Sequence, residues 1–261
     1  MTTSITFRLL GIVEVESAAE RLPLNGKQRS LLAALLVQAN HTVTNARLMD
    51  ALWERPFPVS PETRVRTLVS ELRRAFALFQ LAPIATRPSG YLLRVDPGQL
   101  DLDVFTDTVA DATRALAAGR AQVAVCRYEQ ALALWRGPAL GGASGPRAEV
   151  EATRLEEMRL SAQEGLFTAL LRLGDPARVV ADLAPLVRAH PLRETFHAQL
   201  MLALYRTGRR GEALDLYLRL HRRLVADLGM EPMPMVQRLH HGILSGTPDP
   251  EARPLPARCP G

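Results

Sequence analysis

SPETRVRTLVSELRRAFALF, residues 60–79, reads as a single amphipathic helix. Ser60 is a good N-cap, Pro61 suits the first helical turn, and Glu62 stands at the positive end of the dipole. At about 100° per residue, Val65, Leu68, Val69, Leu72 and Phe76 share one narrow stripe. Thr63, Thr67, Ser70 and Arg74 fall opposite it, with Arg66 and Arg73 on one flank and Arg64 and Glu71 on the other. Short hydroxyls allow close approach to a duplex, and arginine pairs with phosphates or forks onto guanine, so this outward face suits a major groove. Four arginines also suit an ordinary solvated face, and the helix alone does not choose between the two.

The flanking sequence favours the groove. ATRPSGYLLRV, residues 85–95, predicts a strand, a tight turn at Pro88-Ser89-Gly90 and a returning strand. A β-hairpin after a basic helix is the wing of a winged helix, and Arg87 at its tip would reach the DNA backbone or the adjacent minor groove. Upstream, Ile5, Phe7 and Leu9 alternate with polar neighbours, and Ile12, Val13 and Val15 follow across Gly11. Leu22, Pro23 and Leu24 can close a small antiparallel sheet, and Asn25-Gly26 is a turn signal. KQRSLLAALLVQAN then predicts a helix with Leu31, Leu32, Leu35 and Leu36 inward. After an extended link at His41–Thr44, Thr44 or Asn45 can cap the helix NARLMDALW, whose buried face is Leu48, Leu52 and Trp53. This order of strands, three helices and a hairpin resembles the DNA-binding domains of bacterial OmpR-type response regulators.

Beyond Gly98 the pattern is helical almost throughout. Gly119, Gly174 and Gly208 each separate two helices, and the last two are 34 residues apart, the tetratricopeptide period. Five residues after each glycine stands Ala124, Val179 or Ala213; nine after stands Tyr128, Leu183 or Tyr217; twelve after stands Ala131, Leu186 or Leu220. Such a sequence of sizes lets paired helices nest, and Pro191 falls where that repeat type ends its second helix. The longer first interval is absorbed by the loop RGPALGGASGPR and an extended helix from about Glu149 to Leu173. The fold expected is therefore mainly α: a winged helix-turn-helix of α+β type over residues 1–98, then an all-α tetratricopeptide-like domain over 99–245. Residues 246–261, rich in proline, read as a disordered tail.

Composition narrows the function. Residues 1–100 hold 12 Arg or Lys against 8 Asp or Glu, which is +4 of the chain's net +5. A basic excess at one end is expected where that end meets a polyanion. Lys27 is the only lysine among the 32 basic residues, a bias that fits a GC-rich genome. No apolar run is long enough to span a membrane and the N-terminus lacks a signal-peptide pattern, so a cytoplasmic location beside the nucleoid is expected. Cys126 and Cys259 have no metal-ligand spacing and read as free thiols. There is no phosphate loop, metalloprotease or nucleophile-elbow motif, so neither an enzyme nor a cofactor is expected. His190, His197, His221, His240 and His241 read as packing or surface residues. A repeat scaffold whose winged helix docks protein instead of DNA is the rival reading, separable by salt-sensitive duplex binding.

The pieces together look like the Streptomyces antibiotic regulatory protein family, transcription activators of secondary-metabolite gene clusters. The resemblance rests on LNGKQRSLLAALLVQAN, LMDALW, RTLVSELRRAF, TRPSGYLL, YEQALALWRGPAL, HPLRETFHAQLMLALYRTGRRGEALDLY and LVADLGMEP. It covers about residues 5–245, with the second half similar to the bacterial transcriptional activation domain. It implies binding to tandem direct repeats near a −35 element, homodimers at least on DNA, and recruitment of RNA polymerase holoenzyme through its sigma factor. It makes Arg64, Arg66, Thr67, Ser70, Arg73 and Arg74 the recognition-helix candidates, Thr86 and Arg87 the wing candidates, and Lys27 and Arg29 contacts at the start of the first helix. Trp53, Glu54 and Arg55 belong to the loop that meets polymerase in OmpR-type activators. Glu71 stands where the family usually carries a basic residue; a carboxylate accepts from cytosine and repels phosphate, so base readout there should differ. With no receiver, ATPase or phosphopeptide module among the 261 residues, the chain resembles the family's small members.

Overall fold

Alternation in the opening residues produces β1 (Ile5–Arg8), β2 (Glu14–Ser17) and β3 (Glu20–Arg21), an antiparallel sheet in the order β1-β2-β3 with Phe7 opposite Val15. The computed structural model describes residues 5–17 and 20–247. Asn25 is more than a turn residue. Its side chain accepts from the Gln28 N–H at 2.9 Å while Gln28 Oε1 accepts from the Asn25 N–H at 3.0 Å, a capping box that starts α1 (Gly26–Leu36). Next come β4 (Thr42–Thr44), α2 (Asn45–Leu52) capped by Thr44, and α3 (Pro61–Ala77). The hairpin β5 (Ile84–Arg87) and β6 (Gly90–Leu93) joins β4 in the order β4-β6-β5. Gly90 is required there, because a Cβ at that position would lie 2.0 Å from the Val43 carbonyl oxygen. Leu31, Leu32, Leu35, Leu36, Leu48, Leu52, Val65, Val69, Leu72 and Phe76 are all buried, and Phe7 meets Phe76 edge to face at 6.2 Å.

Three local expectations change. Ser60 takes a left-handed conformation, φ 53°, and makes no side-chain cap bond, leaving Pro61 and Glu62 as the starting signals of α3. Trp53 is half-buried because α2 ends at Leu52 and the chain turns extended there; Ala51 takes the inward place. Leu68, at the edge of its stripe, is likewise half-buried.

The rest is helical: α4 (Asp101–Ala117), α5 (Ala121–Leu132), α6 (Pro146–Leu173), α7 (Pro176–Ala189), α8 (Glu194–Arg206), α9 (Arg210–Leu228) and α10 (Pro234–Ser245). None of the described helices is long and apolar enough to cross a membrane. The chain divides into two compact units, the first from residues 1–110 and 129–161, the second from 111–128 and 162–261.

The loop 136–147 thus packs in the first unit. The Val13 N–H donates to the Gly141 carbonyl at 2.9 Å, Arg136 N–H to Leu10 at 2.8 Å, and Leu140 N–H to Leu9 at 2.9 Å. Buried Asp101 accepts from the N–H groups of Leu9 and Leu10 at 2.8 and 3.1 Å and pairs with Arg136 at 3.2 Å; Arg136 also holds Glu14. Desolvation pushes the Asp101 carboxyl above its ordinary value, against the pull of those donors and of Arg136. Ser144 N–H donates to Ser30 Oγ at 2.8 Å.

In the second unit Gly119, Gly174 and Gly208 have φ of 73°, 86° and 80°, the left-handed state that ends a helix. Ala124, Val179 and Ala213 are fully buried, as are Leu183 and nearly so Tyr128 and Leu220, whereas Tyr217 and Leu186 are half-buried. A recurring bond links successive helix pairs. Arg172, two residues before Gly174, donates to the Leu116 carbonyl, three before Gly119, at 3.3 Å. Arg206, two before Gly208, donates to the Leu171 carbonyl, three before Gly174, at 2.7 Å. Most of the proline-rich tail, from residue 248, lies outside the described residues.

Candidate nucleic-acid interface

The burial of Val65, Val69, Leu72 and Phe76 fixes the roll of α3 and turns Thr63, Arg64, Arg66, Thr67, Ser70 and Arg74 outward, all exposed. Among the described residues Arg66 and Arg74 make no hydrogen bond or ion pair, so their five donors each face solvent. Arg64 is tethered: its Nε donates to the Val59 carbonyl at 3.2 Å. Thr67 Oγ1 donates to the Thr63 carbonyl at 3.1 Å, which leaves its lone pairs outward. Glu71 is half-buried.

Arg73 sits differently from its neighbour Arg74. It is half-buried, with Nε and Nη2 donating to the Ile84 carbonyl at 3.3 and 3.1 Å and Nη2 donating to Thr86 Oγ1 at 2.8 Å. Its guanidinium also lies 5.9 Å from the centre of the Tyr91 ring. Thr86 is exposed on the wing but its hydroxyl accepts this bond. Arg87, the last residue of β5, is exposed and unpaired among the described residues.

Lys27 and Arg29 turn toward the protein. Lys27 Nζ donates to the Leu52 carbonyl at 3.1 Å and so closes the C-terminal end of α2; Arg29 Nε donates to the Val13 carbonyl at 3.3 Å. Of the α2–α3 loop, Glu54 and Arg55 are exposed; Arg55 pairs with Asp50 at 3.3 Å and stacks over Phe57 at 5.1 Å.

Two exposed arginines that the sequence reading passed over join this surface. Arg47 occupies the first turn of α2, where the Asn45 N–H donates to the Ser89 carbonyl of the wing turn at 3.0 Å. Arg94 follows β6. Neither guanidinium has a partner among the described residues. A cation at the positive end of a helix dipole is unfavourable without an anion nearby, and Thr44 as cap was the signal that placed Arg47 there.

Comparison with known proteins gives two family matches. Residues 19–93 match the model described as transcriptional regulatory protein, C terminal, and residues 100–244 match the bacterial transcriptional activator domain. The chain is 37% identical to the regulatory protein DnrI of Streptomyces peucetius over 235 residues, 87% of this chain and 86% of that protein. It is 37% identical to the regulatory protein AfsR of Streptomyces griseus over 242 residues, 92% of this chain but 24% of that protein. It therefore spans about a quarter of the length of AfsR. Among solved structures, Mycobacterium tuberculosis EmbR in complex with a low-affinity phosphopeptide matches with TM-score 0.90 and 31% identity, over 94% of this chain and 66% of that one.

Proposed function

This chain belongs to the Streptomyces antibiotic regulatory protein family of transcriptional activators, and from that membership we propose that it binds promoter DNA sequence-specifically and activates transcription, without catalysing a reaction. The observation that carries this reading is the set of free guanidiniums of Arg66, Arg74 and Arg87 on a helix and an adjacent hairpin. In it, α3 enters the major groove; Arg66, Thr67, Ser70 and Arg74 face base edges or phosphates, and Arg64 stands beside them. Arg87 and Arg47 hold phosphates on either side of the wing turn. The DNA-binding part is residues 1–98 and the activation domain residues 99–245.

The targets are tandem direct repeats near the −35 element of genes for secondary-metabolite, in particular antibiotic, biosynthesis. Homodimers form at least on DNA, and the Trp53–Arg55 loop meets RNA polymerase holoenzyme through its sigma factor in the cytoplasm, at the nucleoid. The test is fluorescence anisotropy on promoter fragments from beside the protein's own gene, across a salt series. Affinity should fall steeply with salt and be far weaker for random duplex. Half-sites one helical turn apart, about 10–11 base pairs, should bind cooperatively, and inserting five base pairs should abolish that. Absence of salt-sensitive duplex binding would mean that the winged helix docks protein instead.

A further inference from the structure

We propose that Arg73 is a positioning residue: it clamps the wing to the recognition helix so that both meet one duplex at a fixed separation. The inference rests on the DNA-binding reading above and reassigns Arg73 and Thr86 within it. β5 is the outer strand of the order β4-β6-β5. Its Ile84 carbonyl receives the guanidinium of Arg73 through two nitrogens, at 3.3 and 3.1 Å, in place of a further strand. Ile84 and Thr86 share one face of β5, and the same guanidinium reaches Thr86 Oγ1 at 2.8 Å. Tyr91, paired with Thr86 across the hairpin, supplies the ring face 5.9 Å away. One side chain of α3 thus grips both strands of the hairpin, and the fork geometry needed to hold carbonyl and hydroxyl together belongs to arginine and not to lysine.

A hairpin is a poor anchor alone, because two strands are marginally stable in water and their tip is free to swing. Arg87 lies one residue beyond the clamped Thr86, on the opposite face of β5, so a guanidinium held at Thr86 sets where Arg87 is presented. Pre-setting that distance removes an ordering cost at the moment of binding.

The experiment uses the full chain with Arg73→Lys, Thr86→Val and the double variant, measuring operator affinity, its salt slope, hydroxyl-radical and methylation footprints, and thermal midpoint. Arg73→Lys keeps the charge but loses the fork, and Thr86→Val removes only the acceptor. Each should weaken operator binding roughly tenfold, the effect of one lost charge-assisted bond. The double variant should be no weaker than the worse single one, and the salt slope should stay unchanged. Backbone protection at the wing should vanish while major-groove protection by α3 persists. Arg73→Lys binding like the wild type, or losses that add in the double variant, would overturn the clamp in favour of a direct DNA contact or no role. Loss of both footprints together with a lowered thermal midpoint would overturn it in favour of a purely structural bond. If the wild-type chain itself shows no salt-sensitive duplex binding, the DNA reading fails first and the clamp with it.

Discussion

Arg66 and Arg74 keep free guanidiniums on the outer side of α3, whereas Arg64, Arg73, Lys27 and Arg29 donate to main-chain carbonyls of the protein itself. The two groups should respond differently to truncation. Arg66→Ala and Arg74→Ala should each cost about 1–3 kcal/mol of operator affinity where a base is contacted, with an unchanged thermal midpoint. Lys27→Ala should do the reverse, since it uncaps α2. Anisotropy titrations beside thermal melts separate the outcomes, and unchanged binding in both arginine variants would remove α3 from the groove. A second residue-level effect concerns acid. His197 is 4% exposed, with Nδ1 3.2 Å from the Arg193 carbonyl oxygen. Burial holds its imidazole below the ordinary value of 6.5, and the charges of Arg219 and Arg223 push the same way. The unfolded chain therefore binds the proton more readily, so stability is full above about pH 6.5 and is lost as pH falls through the folded value. His197→Phe should flatten the decline in thermal midpoint between about pH 7 and 5; equal slopes would exclude His197 as its source.

Elements repay the same attention to their ends. Asn25→Ala removes one half of the capping box and should cost about 1 kcal/mol, measured as a lower urea midpoint with unchanged slope. Arg206→Met keeps the aliphatic stem of the side chain and removes only the donor to Leu171, and should cost about 1–2 kcal/mol; an unaltered midpoint would show that water serves that carbonyl equally well. Periodicity made α3 and its buried stripe legible, and the Pro88–Gly90 signal gave the wing. The roles of individual arginines were not legible. Arg73 and Arg74 are adjacent and chemically identical, and a helical wheel separates them by only about 100°. What distinguishes them is a strand edge 11 residues further along that brings an unpaired carbonyl to one of the two. Ser60 was misread for a related reason: its type suits a cap, but the incoming chain from Val59 sets a left-handed φ that aims its hydroxyl away.

At the scale of the molecule, sequence period and compact unit do not coincide. The family matches meet between residues 93 and 100, whereas the first unit also draws in residues 129–161. Repeat spacing identifies a loop as extra but says nothing of what it packs on, which is why residues 136–147 read only as an insertion. A fragment ending at residue 98 would leave the buried N–H groups of Leu9 and Leu10 without Asp101, and Glu14 without Arg136. Each orphaned buried donor costs about 1–3 kcal/mol, so the fragment should unfold in urea well before the same region of the whole chain. Trp53 fluorescence in a Trp135→Phe background follows that region in both, and coincident curves would show residues 101–161 to be dispensable. The bonds from Arg172 and Arg206 carry a different implication, at the level of the gene. Donor and acceptor stand two and three residues before each turn glycine, and Gly174 and Gly208 are 34 residues apart. An in-frame copy of residues 175–208 spliced after Gly208 would bring its own arginine to the Tyr205 carbonyl, which already stands where Leu116 and Leu171 stand. Recombination events of that length, and of no other, would lengthen the array in a single step with its joints intact.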